Sequence, residues 1–337
     1  MSVFPISTLL ALSLASSPLL PPASGSSYAT PAAEAASQRT SARRMRHQLA
    51  LAPVIKPMGA HVGELQEKWQ FPSDHLPIGM TLENVNFVSW NVLDGDYMSW
   101  VLEKDSQGLK RSMIGEEHVY IGDSKLTVRD RHVVDLIVDM IDHPTHPRAI
   151  LSLQECSEPF REELRSRIPA HFELIPSHGE TLLVDRRIFE VVSSKEVTGI
   201  FSREPKRTVQ DVTLRRVETG QLVRLVNVHL PGDPTHPGRF EFAQYVAKTF
   251  DSAVTTIAMG DTNFNELEMQ EAMQSAFADH SPFALYSPYC TNIAPFVFDS
   301  KAIDHFFVYS PEASPVRLSA PDDILRNLSD TVALLQP

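Results

Sequence analysis

From residue 78 onwards, short apolar runs alternate with polar turns. Ile78 to Leu82 and Val85 to Trp90 are two apolar-rich runs joined at Glu83-Asn84, a polar pair of hairpin type. After a long irregular stretch, Gly95 to Leu126, apolar residues recur at Val133, Val134, Ile137, Val138 and Ile141 with charges between them, which predicts a helix over Val128 to His143. Ala149 to Leu153 is a short apolar run, as expected of a buried strand, and it delivers Gln154 and Glu155 to its C-terminal end. Glu158 to Ile168 reads as a helix. Phe172 to Pro176, Glu180 to Val184 and Phe189 to Lys195 read as strands, with Arg186-Arg187 in a turn. Val209 to Arg215 and Leu222 to His229 form a hairpin through Glu218-Thr219-Gly220. A helix over Arg239 to Phe250, a strand over Thr255 to Met259, a helix over Glu266 to Ala278 and a strand over Ile303 to Val308 complete the pattern, with Phe283 to Phe298 a poorly patterned rim segment. Such an alternation predicts a sheet-on-sheet core with helices outside. It does not resemble a doubly wound nucleotide fold, and no Gly-rich phosphate loop follows any strand.

Chemistry gathers at strand ends. A hairpin through Glu83-Asn84 lays its strands side by side, so Asp74 and His75 at the start of one come close to Asn91 at the end of the other. Asp261 and Asn263 are two apart and point the same way if the backbone is extended; a turn cap is the alternative. In the last strand, alternation sends Asp304 and His305 to opposite faces, so only one of them can serve a given site.

Six stretches carry a resemblance: PSDHLPI around His75, SWNVL around Asn91, LSLQE ending at Glu155, NVHLPG around His229, MGDTN at Asp261 to Asn263, and AIDHFFV around Asp304. Together they resemble the motif set of the endonuclease/exonuclease/phosphatase superfamily, the DNase I-like metal-dependent phosphoesterases. The resemblance implies an α/β (α+β) four-layer sandwich, two packed, mainly antiparallel sheets flanked by helices. It also implies Mg²⁺ or Mn²⁺ held by Glu155 with Asp74 and Asn91 beside it. Asp261 and the His75-Asp304 pair would position or deprotonate an attacking water, and Asn263, His229 and His75 would contact the phosphate. One motif is out of order. In this family the Ser-Asp-His motif follows the Ile-Asp strand, whereas here its best copy precedes the Trp-Asn strand, which reads as a circular permutation. The rival reading takes Leu328 to Val332 as the last motif, with Thr331 in place of the imidazole; the chain would then be a decayed enzyme acting as a binding protein.

Composition narrows the partners. With 42 % apolar and 21 % charged residues the chain can build a core, and a net charge of −12 argues against unspecific attraction to nucleic acid or an anionic membrane. The expected partner is a phosphoester, whether a nucleic-acid end, an RNA or a small or lipid phosphoester. Trp100, Tyr286 and Tyr289 are rim aromatics that could stack a base or seat an acyl chain. The two cysteines, Cys156 and Cys290, exclude a thiolate metal site. Residues 1–29 resemble a signal peptide, with an apolar run from Val3 to Leu20 and small residues before Gly25 and Ala29, so export is expected. Residues 30–60 read as a disordered or linker leader, and 61–337 as the catalytic domain.

Overall fold

A computed structural model describes residues 73, 75–95, 126–141, 148–278, 281–287, 302–311 and 316–318. Every described residue lies within the unit Ile55–Pro337. The readings made for residues 1–60, Asp74, Trp100, Tyr289, Cys290 and Thr331 lie outside the described residues.

The first sheet contains β1 (Ile78–Leu82), β2 (Val85–Asn91), β3 (Ile150–Gln154), β4 (Phe172–Pro176), β5 (Thr181–Asp185) and β12 (Val316–Leu318), in the order β12-β1-β2-β3-β5-β4. The second contains β6 (Phe189–Val197), β7 (Val209–Arg216), β8 (Leu222–His229), β9 (Thr255–Asp261), β10 (Ala284–Tyr286) and β11 (Asp304–Tyr309), in the order β10-β11-β9-β8-β7-β6. Each sheet is antiparallel except for one pair, β2 with β3 and β8 with β9. Four helices are described, α1 (Val128–Ile141), α2 (Glu158–Arg167), α3 (Gly238–Lys248) and α4 (Glu266–Ala276).

Side-chain alternation shows why these elements stack in four layers. On β8, β9 and β11, Val223, Leu225, Ile257, Met259, Phe306 and Val308 pack into the core shared with the first sheet. Their neighbours Val226, Val228, Ala258 and Phe307 pack instead against Phe242 and Val246 of α3 and Met269 and Ala272 of α4. The first sheet is covered on its outer side by the apolar stripe of α1, with Val133, Val134 and Ile137 buried, and by Phe160 and Leu164 of α2. This is the four-layer sandwich expected of a DNase I-like fold. Among the described residues no helix is long and apolar enough to cross a membrane.

The strand and helix positions read from periodicity hold to within a residue or two. Glu83 and Asn84 take φ of 50° and 65°, the double left-handed conformation of a type I′ turn, and Arg216 braces it at 3.3 Å from both the Glu83 carboxylate and its carbonyl. Two strands escaped the pattern. Ala284–Tyr286, inside the segment read as irregular rim, pairs with β11, and Val316–Leu318 pairs with β1. Each has three residues, too few for alternation to register.

Candidate active site

The topology brings one end of several strands together. Because β2 runs parallel to β3 and β8 parallel to β9, the residues Asn91, Glu155, His229 and Asp261 all stand at C-terminal strand ends or one step beyond. Strand β11 runs antiparallel to β9, so its first residue, Asp304, pairs with Asp261. Asn91, His229, Asp261 and Asp304 also occupy the alternate positions that face between the sheets.

Close approach of β8 and β9 depends on Gly260. It lies opposite Val228 with φ of +146°, and a Cβ there would sit 1.9 Å from the Val228 carbonyl oxygen. The next pair in register is His229 with Asp261. A small residue just before the site thus sets the separation of two of its side chains.

His75 is 5 % exposed and is fixed from three sides. Its amide donates to Ser73 Oγ at 3.1 Å, and that hydroxyl donates to the Asn91 carbonyl at 2.7 Å. The Trp90 indole donates to the His75 carbonyl at 3.0 Å. Nδ1 of the ring lies 3.0 Å from Asp304 Oδ2, and Nε2 lies 3.6 Å from Asp261 Oδ2. A carboxylate at Nδ1 favours the tautomer with its proton there and leaves Nε2 as the basic nitrogen.

A second cluster adjoins the first. Glu155, His229 and Asp261 each offer a ligand atom, all within 4.8 Å of one another, and His229 Nε2 is 3.6 Å from both Glu155 Oε1 and Asp261 Oδ2. Asn91 ties the clusters together, its Nδ2 donating to Glu155 Oε1 at 2.8 Å and to Asp261 Oδ2 at 2.9 Å. Glu155 also accepts from the Asp94 amide at 3.1 Å. Burial pushes the Asp261 carboxyl above the usual range, against the pull of His75, while Asp304 adds to the rise. Burial also lowers His229, to about 4, so it is neutral at pH 7.

Several expectations change in detail. Asn91 turns its amide nitrogen, not its oxygen, towards Glu155, because Oδ1 accepts from the Leu93 amide at 2.9 Å. In that orientation it is a partner of the two carboxylates; as a metal ligand it would have to turn over. Asp261 and Asn263 are not joined by extended backbone. Asn263 has φ of 56°, its amide donates to Asp261 Oδ1 at 2.9 Å, and its Nδ2 donates to the Leu230 carbonyl at 2.9 Å. The turn-cap geometry therefore holds alongside placement beside Asp261. His305 points away from the site, with Nε2 2.8 Å from the Phe264 carbonyl and Nδ1 2.5 Å from Ser287. Tyr286 packs against the main core and does not line the cleft beside Glu155.

Three supporting features were missed in the sequence. Arg129, 1 % exposed, donates to the carbonyls of Val92 (2.8 Å) and Leu93 and pairs with Asp130 at 2.6 Å, which holds the turn after Asn91. Ser73 and Trp90, noted only as motif letters, anchor His75. Gln154 and Asn227 meet between the sheets at 2.9 Å, and Gln210 accepts from Asn227 at 3.1 Å. An Asn and two Gln within otherwise apolar strands were the available signal.

No family model and no curated protein matches the chain. Solved structures do. Its structural neighbours include endonuclease/exonuclease/phosphatase family proteins. One such protein from Bacteroides thetaiotaomicron is 14 % identical, with 70 % of this chain and 93 % of that one covered at a TM-score of 0.46. The human Nocturnin catalytic domain with bound sulfate is 16 % identical, covering 72 % and 91 % at 0.44. A mannosyl-6-phosphatase of Bacteroides thetaiotaomicron is 16 % identical, covering 54 % and 78 % at 0.41. The chemistry below rests on this chain's own residues.

Proposed function

We propose that this chain is a divalent-metal-dependent phosphoester hydrolase. The observation that carries the reading is the buried His75-Asp304 pair at 3.0 Å, set beside a separate cluster of Glu155, His229 and Asp261. A pair alone would suit a structural role, and a cluster alone could be a solvated acidic patch. Side by side and sharing Asp261, they combine a base with a cation site.

The two carboxylates suit a hard cation such as Mg²⁺ or Mn²⁺, which takes few protein oxygen ligands and completes its shell with water and substrate oxygens, and the neutral imidazole beside them is left for the phosphate. Glu155 and Asp261 would hold it, with Asp74 as a further ligand. When bound, the cation supplies polarisation of the phosphate and charge neutralisation at the leaving oxygen. Asp304 orients His75 and stabilises its imidazolium, so that Nε2 can take a proton from the attacking water. Asp261 accepts a second hydrogen of that water, and its own position is held by Asn91 and the Asn263 amide. His229 and Asn263 contact non-bridging oxygens, whose charge the site must meet as the phosphoryl centre reacts.

We also read the strand order as a circular permutation, with β1 and β2 joined by the tight Glu83-Asn84 turn. Supporting this, β12 lies antiparallel beside β1, where a chain of the usual order would run from one into the other.

Hydrolysis of an aryl phosphomonoester and diester, with Mg²⁺ or Mn²⁺ and with chelator, tests the proposal. Chelation is expected to abolish turnover, and His75→Ala, Asp304→Asn and Glu155→Gln each to lower kcat by about 10²-fold or more. An inert wild type with every metal, or a His75→Ala enzyme as fast as wild type, would sink it.

A further inference from the structure

Beyond the clusters already described, a cleft of about 520 Å³ opens beside Glu155 and His229. One wall is the 177–180 turn, closed by the Ser177 amide on the Glu180 carbonyl at 2.8 Å and tied to the Glu155 loop by the Cys156 amide on the Gly179 carbonyl at 2.9 Å. The other is the start of β7, where Arg207 donates to the His229 carbonyl at 3.0 Å and Thr208 follows. Both walls are therefore fastened to residues of the site.

The chemistry of this cleft is selective. Among its described lining residues there is no Phe, Tyr, Trp, Leu, Ile, Val or Met. The rings among those lining residues are the imidazoles of His178 and His229, the latter already part of the site, so a nucleobase finds no broad aromatic face and an acyl chain no apolar wall to lie against. Five carboxylates line it against three basic side chains, and two of those three are already paired, Arg161 with Glu158 at 2.6 Å and Arg207 with Glu204 at 2.7 Å. The phosphates flanking a scissile bond in a polynucleotide would meet carboxylates here, where such a ligand needs uncommitted Lys and Arg.

Glu180 is the unusual member. It is 3 % exposed, and burial raises its pKa. Oε2 accepts from Thr208 Oγ1 at 2.6 Å and from the Gly179 amide at 3.3 Å, but no Lys, Arg or His lies within salt-bridge distance among the described residues. A buried carboxyl without a cation is costly, and the turn it belongs to is closed by backbone groups that would serve any residue. The proposed mechanism leaves it without a task.

We propose that this wall seats a neutral, hydroxyl-bearing part of the substrate, the sugar or polyol of a phosphorylated carbohydrate, with Glu180 accepting from its hydroxyls. Carboxylates are strong acceptors, and Thr208 holds this one in a single orientation, so it can discriminate donors by position. The inference rests on the reading of the adjoining site as a phosphoester hydrolase. It makes Glu180 a specificity-determining residue.

The test compares kcat/KM of the full chain, with Mg²⁺ or Mn²⁺, for hexose 6-phosphates and glycerol phosphate against p-nitrophenyl phosphate, a 5′-phosphorylated oligonucleotide and a lysophosphatidic acid. Wild type is expected to prefer the carbohydrate phosphates by about tenfold or more. Losing a hydrogen bond to a charged acceptor corresponds to about 10–100-fold, so the ratio of carbohydrate to aryl phosphate should fall by that amount in Glu180→Ala. It should fall less in Glu180→Gln, which keeps the shape and one acceptor oxygen. Thr208→Val, which frees the carboxylate to turn, should also lower the ratio. A wild type that prefers the oligonucleotide or the lysolipid, or an unchanged ratio in all three variants, would overturn the inference while leaving the hydrolase reading intact. Parallel loss on both substrates would assign Glu180 a purely structural role and overturn it likewise. A wild type inert towards every phosphoester would remove the hydrolase reading and this inference together.

Discussion

Gly260→Ala is a single added methyl group whose cost can be worked from geometry. The new Cβ would lie 1.9 Å from the Val228 carbonyl oxygen, whereas real Cβ contacts essentially never fall below 3.0 Å, so β8 and β9 must part by at least 3.0 − 1.9 = 1.1 Å. A ladder hydrogen bond of about 2.9 Å stretched by that much is broken. Losing one or two such bonds in a buried sheet, with their groups left unsatisfied, costs about 1–3 kcal/mol each. Forcing a side chain into φ of +146° adds about 1–3 kcal/mol. The total, about 2–9 kcal/mol, is a large share of the ~5–15 kcal/mol by which domains are usually stable. Equilibrium urea unfolding followed by circular dichroism measures it, with Gly179→Ala as the control. A Cβ at Gly179 meets nothing within 4 Å, so that variant should stay within about 1 kcal/mol of wild type. A Gly260→Ala loss below about 1 kcal/mol would show that the strands accommodate the methyl, and the account of how His229 and Asp261 are spaced would fail with it.

Two further outcomes follow from buried charge. Arg129→Ala leaves the Asp130 carboxylate and the Val92 and Leu93 carbonyls buried without their cation, for which about 3–5 kcal/mol of stability should be lost in the same unfolding assay; Arg129→Lys should restore only part, since an ammonium lacks the forked donors that reach two carbonyls and a carboxylate. A loss under about 1 kcal/mol for Arg129→Ala would contradict this. His305 is held neutral by burial, with its pKa pushed down to about 4 from an ordinary 6.5. The unfolded chain binds its proton first as pH falls. Stability is thus intact above pH 6.5 and declines towards pH 4, by about 3 kcal/mol at most from this residue. The urea midpoint should therefore depend less on pH between 4 and 6.5 in His305→Asn than in wild type, and equal slopes would refute the assignment.

Periodicity exposed the long elements because burial imposes it. In β8 the inward set Val223, Leu225 and Asn227 and the outward set Val226 and Val228 sit on opposite faces, and the same alternation runs through β9 and β11. It could not reveal β10 or β12, whose three residues are defined by a partner strand alone. The chemical residues were legible as motif letters at strand ends, His75, Asn91, Glu155, His229, Asp261 and Asp304 among them. Their supports were not. Ser73, Trp90 and Arg129 act through hydrogen bonds to backbone groups that only the folded chain brings near. The backbone reversals at Leu93, Glu155 and Asn263, with φ of 60°, 59° and 56°, were invisible for the same reason, since none of them is glycine. That is why Asp261 and Asn263 were expected on an extended segment.

The location of the site follows from which strand pairs run parallel. An antiparallel pair presents the end of one strand beside the start of the next, so two consecutive strands bring only one C-terminal end to a given edge. Each sheet here contains a parallel pair, which places two C-terminal ends together: Asn91 with the Gln154-Glu155 turn in one sheet, His229 with Asp261 in the other. Packing the sheets face to face then sets these four ends against one another, and Asn91 bridges the gap by donating to a carboxylate from each side. Beneath it, the Gln154-Asn227 contact fixes how the two sheets slide past each other, at a depth where an unpaired amide would be expensive. His75 needs only a strand start beside Asn91, which the β1-β2 hairpin supplies through Ser73 and Trp90. The geometry is therefore specified by neighbour relations in space rather than by the order in which the chain visits them.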